Sequence, residues 1–427
     1  MGSIVPRTVV TLALTVGFAQ AIAAPLREET APEETAPGET APEETAIRPY
    51  RIEVADAVLD DLQRRLARTR FPDQFSNRDW EYGTELTYLR GLVEYWRTEY
   101  DWRRHEKVLN GFHHFTTNVD GLNIHFVHER SKEKNALPLV ITHGWPGSFY
   151  EFLKVIPALV DPVAHGGRPE DAFDVICPSL PGYGFSEKPA TAGFAPARMA
   201  EIVAKLMARV GYTRYVAQGG DWGRAITTWL ARHDTEHVAG IHLNLVRGSP
   251  PEDGTDPNAG LAPESVKRME ARREELRNHW AYGKVHATRP QTLGYALNDS
   301  PVGLAAWILD KFRIWSDCDG DLETSFTKDE LLTNIMIYWV TESITSSMRI
   351  YWEAYRAERG SKARVTVPTA IAIYPKEISQ PPREWVEREF NVTQWTVQPR
   401  GGHFAAFEEP ELFVQDLRKF ARSLRKP

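Results

Sequence analysis

The residues Gln218-Gly219-Gly220-Asp221-Trp222-Gly223 display one carboxylate among small neighbours, after an apolar run at Tyr215 to Ala217 and before a helix-like stretch at Arg224 to Arg232. This spacing predicts a sharp strand-to-helix turn, a nucleophile elbow, in which only glycine fits beside the displayed side chain. An aspartate stands where such elbows commonly carry serine, and that selects the chemistry. A serine attacking a saturated carbon makes an ether that water does not readily cleave, whereas a carboxylate makes an ester that an activated water can hydrolyse. Asp221 therefore points to alkyl electrophiles such as epoxides or haloalkanes. The plainer alternative for the same six residues is a helix N-cap after a Gly-Gly turn.

Such an ester needs a base. His403 sits in the Gly-rich loop Arg400-Gly401-Gly402-His403-Phe404 after the last expected strand, and Glu377 follows a strand ending at Tyr374. The order nucleophile, acid, histidine is that of triads on parallel-sheet hydrolases, with the acid holding the His tautomer and stabilising the imidazolium. His143-Gly144-Trp145-Pro146 lies between a short strand and a helix, where the second oxyanion donor belongs. The backbone N–H groups of Trp145 and Trp222 are expected to face the ester carbonyl oxygen. The isomer of the Trp145-Pro146 bond is left open by the sequence. Opening an epoxide also creates an alkoxide, which two phenolic donors could bind and protonate. Spacing alone singles out none of the 15 tyrosines.

These residues need a scaffold that brings loops together. Val54, Val58, Leu62 and Leu66, then Leu86, Leu89, Val93 and Trp96, recur at helical spacing and predict two amphipathic helices. Asp120-Gly121 between two strand-like runs predicts a hairpin. Strands are expected at Leu137 to Thr142, Phe173 to Cys177, Tyr215 to Ala217, Val238 to Val246, Val367 to Tyr374 and Thr393 to Gln398, and helices at Phe149 to Val160, Met199 to Val210 and Pro410 to Leu424. Alternating strands and helices imply an α/β fold with a mostly parallel sheet flanked by helices and ligands at the carboxyl ends of the strands. The gap from about Gly248 to Arg364 is too long for a loop and carries helical patterns at Pro263 to Trp280, Pro301 to Ile314 and Lys328 to Arg356, so a helical cap over the site is expected.

Composition bounds the remaining alternatives. A chain of 427 residues, 42% hydrophobic with 13 tryptophans, can bury a large core. Its formal charge of −7 is concentrated at the start, where two arginines and seven glutamates in residues 1–46 account for −5 and leave −2 elsewhere. No basic face for nucleic acid is implied. Arg7, an apolar run from Thr8 to Ala19 and Ala21-Ile22-Ala23 read as a signal peptide over residues 1–23, hence a secreted or extracytoplasmic protein. The alternative is an uncleaved anchor, with membrane association only through residues 8–24. Repeats of Glu-Glu-Thr-Ala-Pro make residues 24–46 a solvated acidic tether. Residues 47–111 then read as a helical segment packed on the core, 112–247 and 365–427 as the two parts of that core, and 248–364 as the cap. Cys177 and Cys318 build no disulfide framework, and neither has a His or Cys neighbour at metal spacing. No cofactor and no metal are called for. The oligomeric state is left open, a dimer included.

Four stretches together, His143-Gly144-Trp145-Pro146-Gly147-Ser148, Gly219-Gly220-Asp221-Trp222-Gly223, the run Ala296 to Ala306, and Arg400-Gly401-Gly402-His403-Phe404-Ala405-Ala406, resemble the microsomal-type epoxide hydrolases, a family that includes the juvenile hormone epoxide hydrolases. The similarity spans about Tyr50 to Leu424. It implies the α/β-hydrolase fold, a lipophilic epoxide and water as substrates, Asp221 as nucleophile, Glu377 as acid and His403 as base. It also implies that two cap tyrosines, Tyr282 in Ala281-Tyr282-Gly283 and Tyr351 in Met348-Arg349-Ile350-Tyr351, hold the ring oxygen. The acidic repeats and the signal-like leader depart from the pattern and bear on location, not chemistry. A haloalkane dehalogenase would share Asp-Trp at the elbow, but a departing halide needs N–H donors rather than phenols. A non-catalytic binding protein of the same fold should have lost Asp221, His403 or Glu377.

Overall fold

The computed structural model describes residues 45–251, 254–357 and 363–425. The expected signal peptide, residues 1–23, and the acidic segment up to residue 44 lie outside them. The sheet begins with β1 (Arg48–Tyr50), β2 (His114–Val119) and β3 (Leu122–Glu129), all antiparallel. β2 and β3 are joined through Asp120-Gly121, both with positive φ, the backbone that a two-residue hairpin turn of matching twist requires. Next to β3 runs β5 (Phe173–Pro178), and from there the sheet is parallel through β4 (Leu137–Thr142), β6 (Tyr215–Gly219), β7 (Val238–Leu243), β8 (Val365–Ile373) and β9 (Phe390–Val397). Every residue of β6 and of β7 is buried, as expected of strands covered on both faces.

The helices α1 (Asp56–Ala67), α2 (Leu86–Thr98) and α3 (Trp102–Leu109) precede the hairpin. Packing on the core was the expectation for this segment. The structure corrects this by adding the cap as their partner: Arg65 pairs with Asp299, Thr84 Oγ donates to the Ala306 carbonyl, and the Tyr95 and Tyr100 hydroxyls meet Asp329 and Thr333. Between the strands come α4 (Ile156–Val160), α5 (Pro196–Val210) and α6 (Asp221–His233). The single helix expected over Phe149 to Val160 is instead a one-turn 3-10 segment, Phe149–Phe152, followed by α4. Pro157 explains the break, because it has no N–H and fits only in a first helical turn.

Between β7 and β8 the chain forms α7 (Pro263–Glu275), α8 (Ala281–Thr288), α9 (Pro290–Asp299), α10 (Pro301–Trp315), α11 (Lys328–Val340) and α12 (Ile344–Arg356). Proline opens α7, α9 and α10, a position that needs no N–H donor. Ser300 caps α10, and a Thr327/Glu330 capping box starts α11. The continuous helix expected from Lys328 to Arg356 is two helices. They divide at Thr341-Glu342-Ser343, where Glu342 takes positive φ with no glycine or proline to announce it. After β8 the chain continues with α13 (Arg383–Glu389), β9, α14 (Ala405–Glu408) and α15 (Pro410–Leu424).

Candidate active site

Asp221 stands at the junction of β6 and α6 with φ of +43°. Backbone of this kind costs a non-glycine residue on the order of 1–3 kcal/mol and persists only where its surroundings enforce it. The surroundings are close. A Cβ on Gly223 would lie 1.9 Å from the Thr142 carbonyl oxygen, one on Gly219 2.3 Å from the Gly223 carbonyl, and one on Gly220 2.7 Å from Asn244 Nδ2. The three glycines thus let the elbow press against β4 and β7. Its position at the first residue of α6 also places the carboxylate in the favourable field of a helix N-terminus.

The loop after β4 reaches over this carboxylate. The Trp145 N–H donates to Asp221 Oδ1 at 2.8 Å, and Gly144 passes so close that a Cβ there would sit 2.2 Å from the same oxygen. Among the described residues, the Trp222 N–H forms no corresponding bond to the carboxylate, so one of the two expected donors is engaged in this geometry. The loop is held from two sides. His143, whose pKa burial lowers to about 4, accepts from the Leu180 N–H through Nε2. From α11, Asn334 donates to the Pro146 carbonyl at 2.9 Å and the Tyr338 hydroxyl to that of Gly147 at 2.6 Å. The Trp145-Pro146 bond is cis.

His403 meets Asp221 from the far end of the sheet. Its Nδ1 is 2.7 Å from Glu377 Oε1, its Nε2 3.5 Å from Asp221 Oδ2, and the His403 and Glu377 side chains are 3% and 1% exposed. Since a carboxylate only accepts, Nδ1 carries the proton and Nε2 faces the nucleophile. Burial works against the imidazolium, but the Glu377 and Asp221 carboxylates outweigh it and hold the His403 pKa well above the usual range. The cap braces both loops. The His403 N–H donates to the Trp315 carbonyl at the end of α10, and Arg272 of α7 donates to the carbonyls of Lys376 and Glu377. A chain-order reading has no signal for Arg272, which meets Glu377 only in space.

Tyr282 of α8 and Tyr351 of α12 come together above Trp145 and Trp222. Their ring centroids are 5.8 Å apart, Tyr282 stacks on Trp145 at 5.5 Å, and Tyr351 meets Trp222 edge-on at 4.8 Å. Burial raises both phenol pKa values, with the Asp221 charge adding to each, so both hydroxyls stay protonated. The two hydroxyls sense each other electrostatically, yet the Tyr351 hydroxyl is buried without a hydrogen bond of normal geometry. One residue absent from the sequence reading joins them: His286, one turn after Tyr282, packs 4.5 Å from Trp145 and 4.9 Å from Tyr351. Burial and Lys311 lower its pKa to about 3, so it contributes a neutral ring.

The structure thus brings Asp221, His403, Glu377, Trp145, Trp222, Tyr282 and Tyr351 to one place. Residues 47–152 match the family model for the epoxide hydrolase N terminus, and 138–281 the model for the alpha/beta hydrolase fold. The chain is 41% identical to epoxide hydrolase 1 of Oryctolagus cuniculus, over 88% of each chain. It is 40% identical to juvenile hormone epoxide hydrolase 2 of Ctenocephalides felis, over 87% of this chain and 84% of that one. The crystal structure of juvenile hormone epoxide hydrolase from the silkworm Bombyx mori superposes with a TM-score of 0.83 at 34% identity, covering 89% of this chain and 95% of that one. An aspartate elbow under paired phenols, on a chain this similar to those enzymes along most of its length, belongs to an epoxide hydrolase of the microsomal and juvenile hormone epoxide hydrolase family, with the α/β-hydrolase fold.

Proposed function

We propose that this enzyme opens a lipophilic epoxide in two half-reactions, through a covalent ester on Asp221. The observation that carries the reading is His403 lying between Glu377 and Asp221 while the Trp145 N–H holds the other Asp221 oxygen. In the first step an Asp221 oxygen attacks a ring carbon and the C–O bond breaks. The ring oxygen takes a proton from the Tyr282/Tyr351 pair, which His403 replenishes. Esterification removes the Asp221 charge that helped to raise the His403 pKa, so His403 gives up that proton and becomes a base. In the second step a water proton passes to His403 Nε2 as the hydroxide adds to Cγ of the ester. The resulting oxyanion meets the Trp145 N–H. Collapse expels the diol oxygen, which takes the second water proton, and restores the carboxylate beside the imidazolium. Charge and protons balance over the cycle.

The aromatic rings around the phenols favour an apolar substituent on the epoxide. Heavy-oxygen water in a single turnover tests the path: the first diol should carry no label and Asp221 should retain it, whereas label in that first diol means direct attack by water. For location, Arg7, the apolar run to Ala19 and Ala21-Ile22-Ala23 support export with cleavage after Ala23. Terminal sequencing of the native protein that finds the leader intact overturns this.

A further inference from the structure

Beside the nucleophile is a cavity of about 20 Å³, lined by Gly144, Trp145, Gly147, Glu151, Asp221 and His403 among others, and by neither cap phenol. A water needs roughly 10–15 Å³ of such space and two to four polar partners. The cavity is therefore sized for one water, next to the base and to the carboxyl carbon it must attack. The carboxyl of Glu151, from the one-turn segment Phe149–Phe152, has no part in the triad. It reaches back along the Trp145 loop: a Cβ built on Gly147 would lie 1.4 Å from Glu151 Oε1, so the glycine is what leaves room for the carboxyl there. Burial holds its pKa up at about 8, while the His403 charge pulls it down and that of Asp221 pushes it up, which places it within their field.

Part of this has a structural explanation. Ser148 is the N-cap of the one-turn segment, Glu151 stands at the third position after it, and the Ser148 N–H acts on its carboxyl, as in a capping box. That occupies one side of the carboxyl and does not account for its place on a one-water cavity shared with His403.

We propose that Glu151 is the water-positioning residue of the second half-reaction, its carboxyl and His403 Nε2 together holding the hydrolytic water in line with Cγ of the Asp221 ester. The inference rests on the two-step reading above. The water donates one hydrogen to Nε2 and the other to a Glu151 oxygen, and its free lone pair faces Cγ. His403 takes the transferred proton, and Glu151 neither gains nor loses one. Either protonation state of the carboxyl offers an acceptor oxygen, and so does an amide.

The test is single-turnover kinetics with a styrene-type epoxide on the full chain, following alkylation and ester loss separately by quenched intact-mass spectrometry. Glu151→Leu, which keeps bulk and removes the acceptor, should alkylate at the parental rate and lose the ester roughly 10²-fold more slowly, the scale of a reactant misplaced by about 1 Å. Glu151→Gln should recover most of that loss. Gly147→Ala, whose Cβ displaces the carboxyl without deleting it, should resemble Glu151→Leu and decides the matter if the leucine variant does not fold. Parental ester loss in the folded variants, or an equal slowing of both half-reactions, overturns the proposal. If the parent itself forms no ester, the two-step reading fails instead.

Discussion

Tyr351→Phe separates catalysis from folding. The Tyr351 hydroxyl is buried and lacks a hydrogen bond of normal geometry, while its ring makes edge contacts with Trp145, Trp222, Tyr282 and His286. Phenylalanine keeps those ring contacts. It also removes a buried hydroxyl whose lack of a partner costs about 1–3 kcal/mol, so the variant should unfold at the parental temperature or above it. Catalysis should move the other way. A donor aimed at an oxyanion that develops only in the transition state contributes about 2.7–4 kcal/mol, or 10²–10³ in rate. Tyr282 stays in place and continues to donate, so the lower end applies: alkylation of Asp221 slows on the order of 10²-fold. Rapid mixing of excess enzyme with epoxide, quenching and intact-mass analysis reads the alkylation rate, and thermal unfolding followed by circular dichroism reads stability. Two results would refute the reasoning. Alkylation at the parental rate would mean that the hydroxyl does not meet the ring oxygen. A clear loss of stability would mean that it has a structural partner in solution.

In His403→Gln, epoxide should be consumed in one burst and the chain should stall with one alkyl adduct on Asp221, visible by intact mass; steady turnover without adduct removes His403 as the base. Glu377→Gln should show the same accumulation to a lesser degree, since His403 would keep its basicity but lose the partner 2.7 Å from Nδ1 that orients it. Because the two carboxylates raise the His403 pKa, the free enzyme holds the imidazolium at neutral pH, and the stability from this pairing is complete below the ordinary imidazole value and fades as pH rises through the folded one. With the Asp221 charge gone in the ester, His403 should titrate lower. Ester hydrolysis should therefore rise with pH and level off below the pH at which free His403 deprotonates, a comparison readable by pre-steady-state pH profiles and by imidazole NMR. Coincident titrations would mean that Asp221 does not act on His403.

Much of the chemistry was legible in the chain itself. The glycines around Asp221 report a backbone so tight that added Cβ atoms would overlap Thr142, Gly223 and Asn244, and such steric demands are written locally. The parallel strands, the Asp-Gly hairpin and the interrupting helical stretch are likewise local patterns of period and turn chemistry. The triad followed from topological order, because loops at the carboxyl ends of parallel strands necessarily converge. Choosing Tyr282 and Tyr351 from 15 tyrosines required the family resemblance, since no spacing relates α8 to α12. What only the tertiary structure decided is contact between segments far apart in sequence. Arg272 on the Glu377 loop, Asn334 and Tyr338 on the Trp145 loop, Trp315 on His403, and the N-terminal helices against the cap are all of this kind. So is the division of α11 from α12 at Glu342, where a residue with no breaker chemistry turns to positive φ. Such contacts depend on how whole elements pack, and that information is spread over the core rather than held in any one stretch of residues.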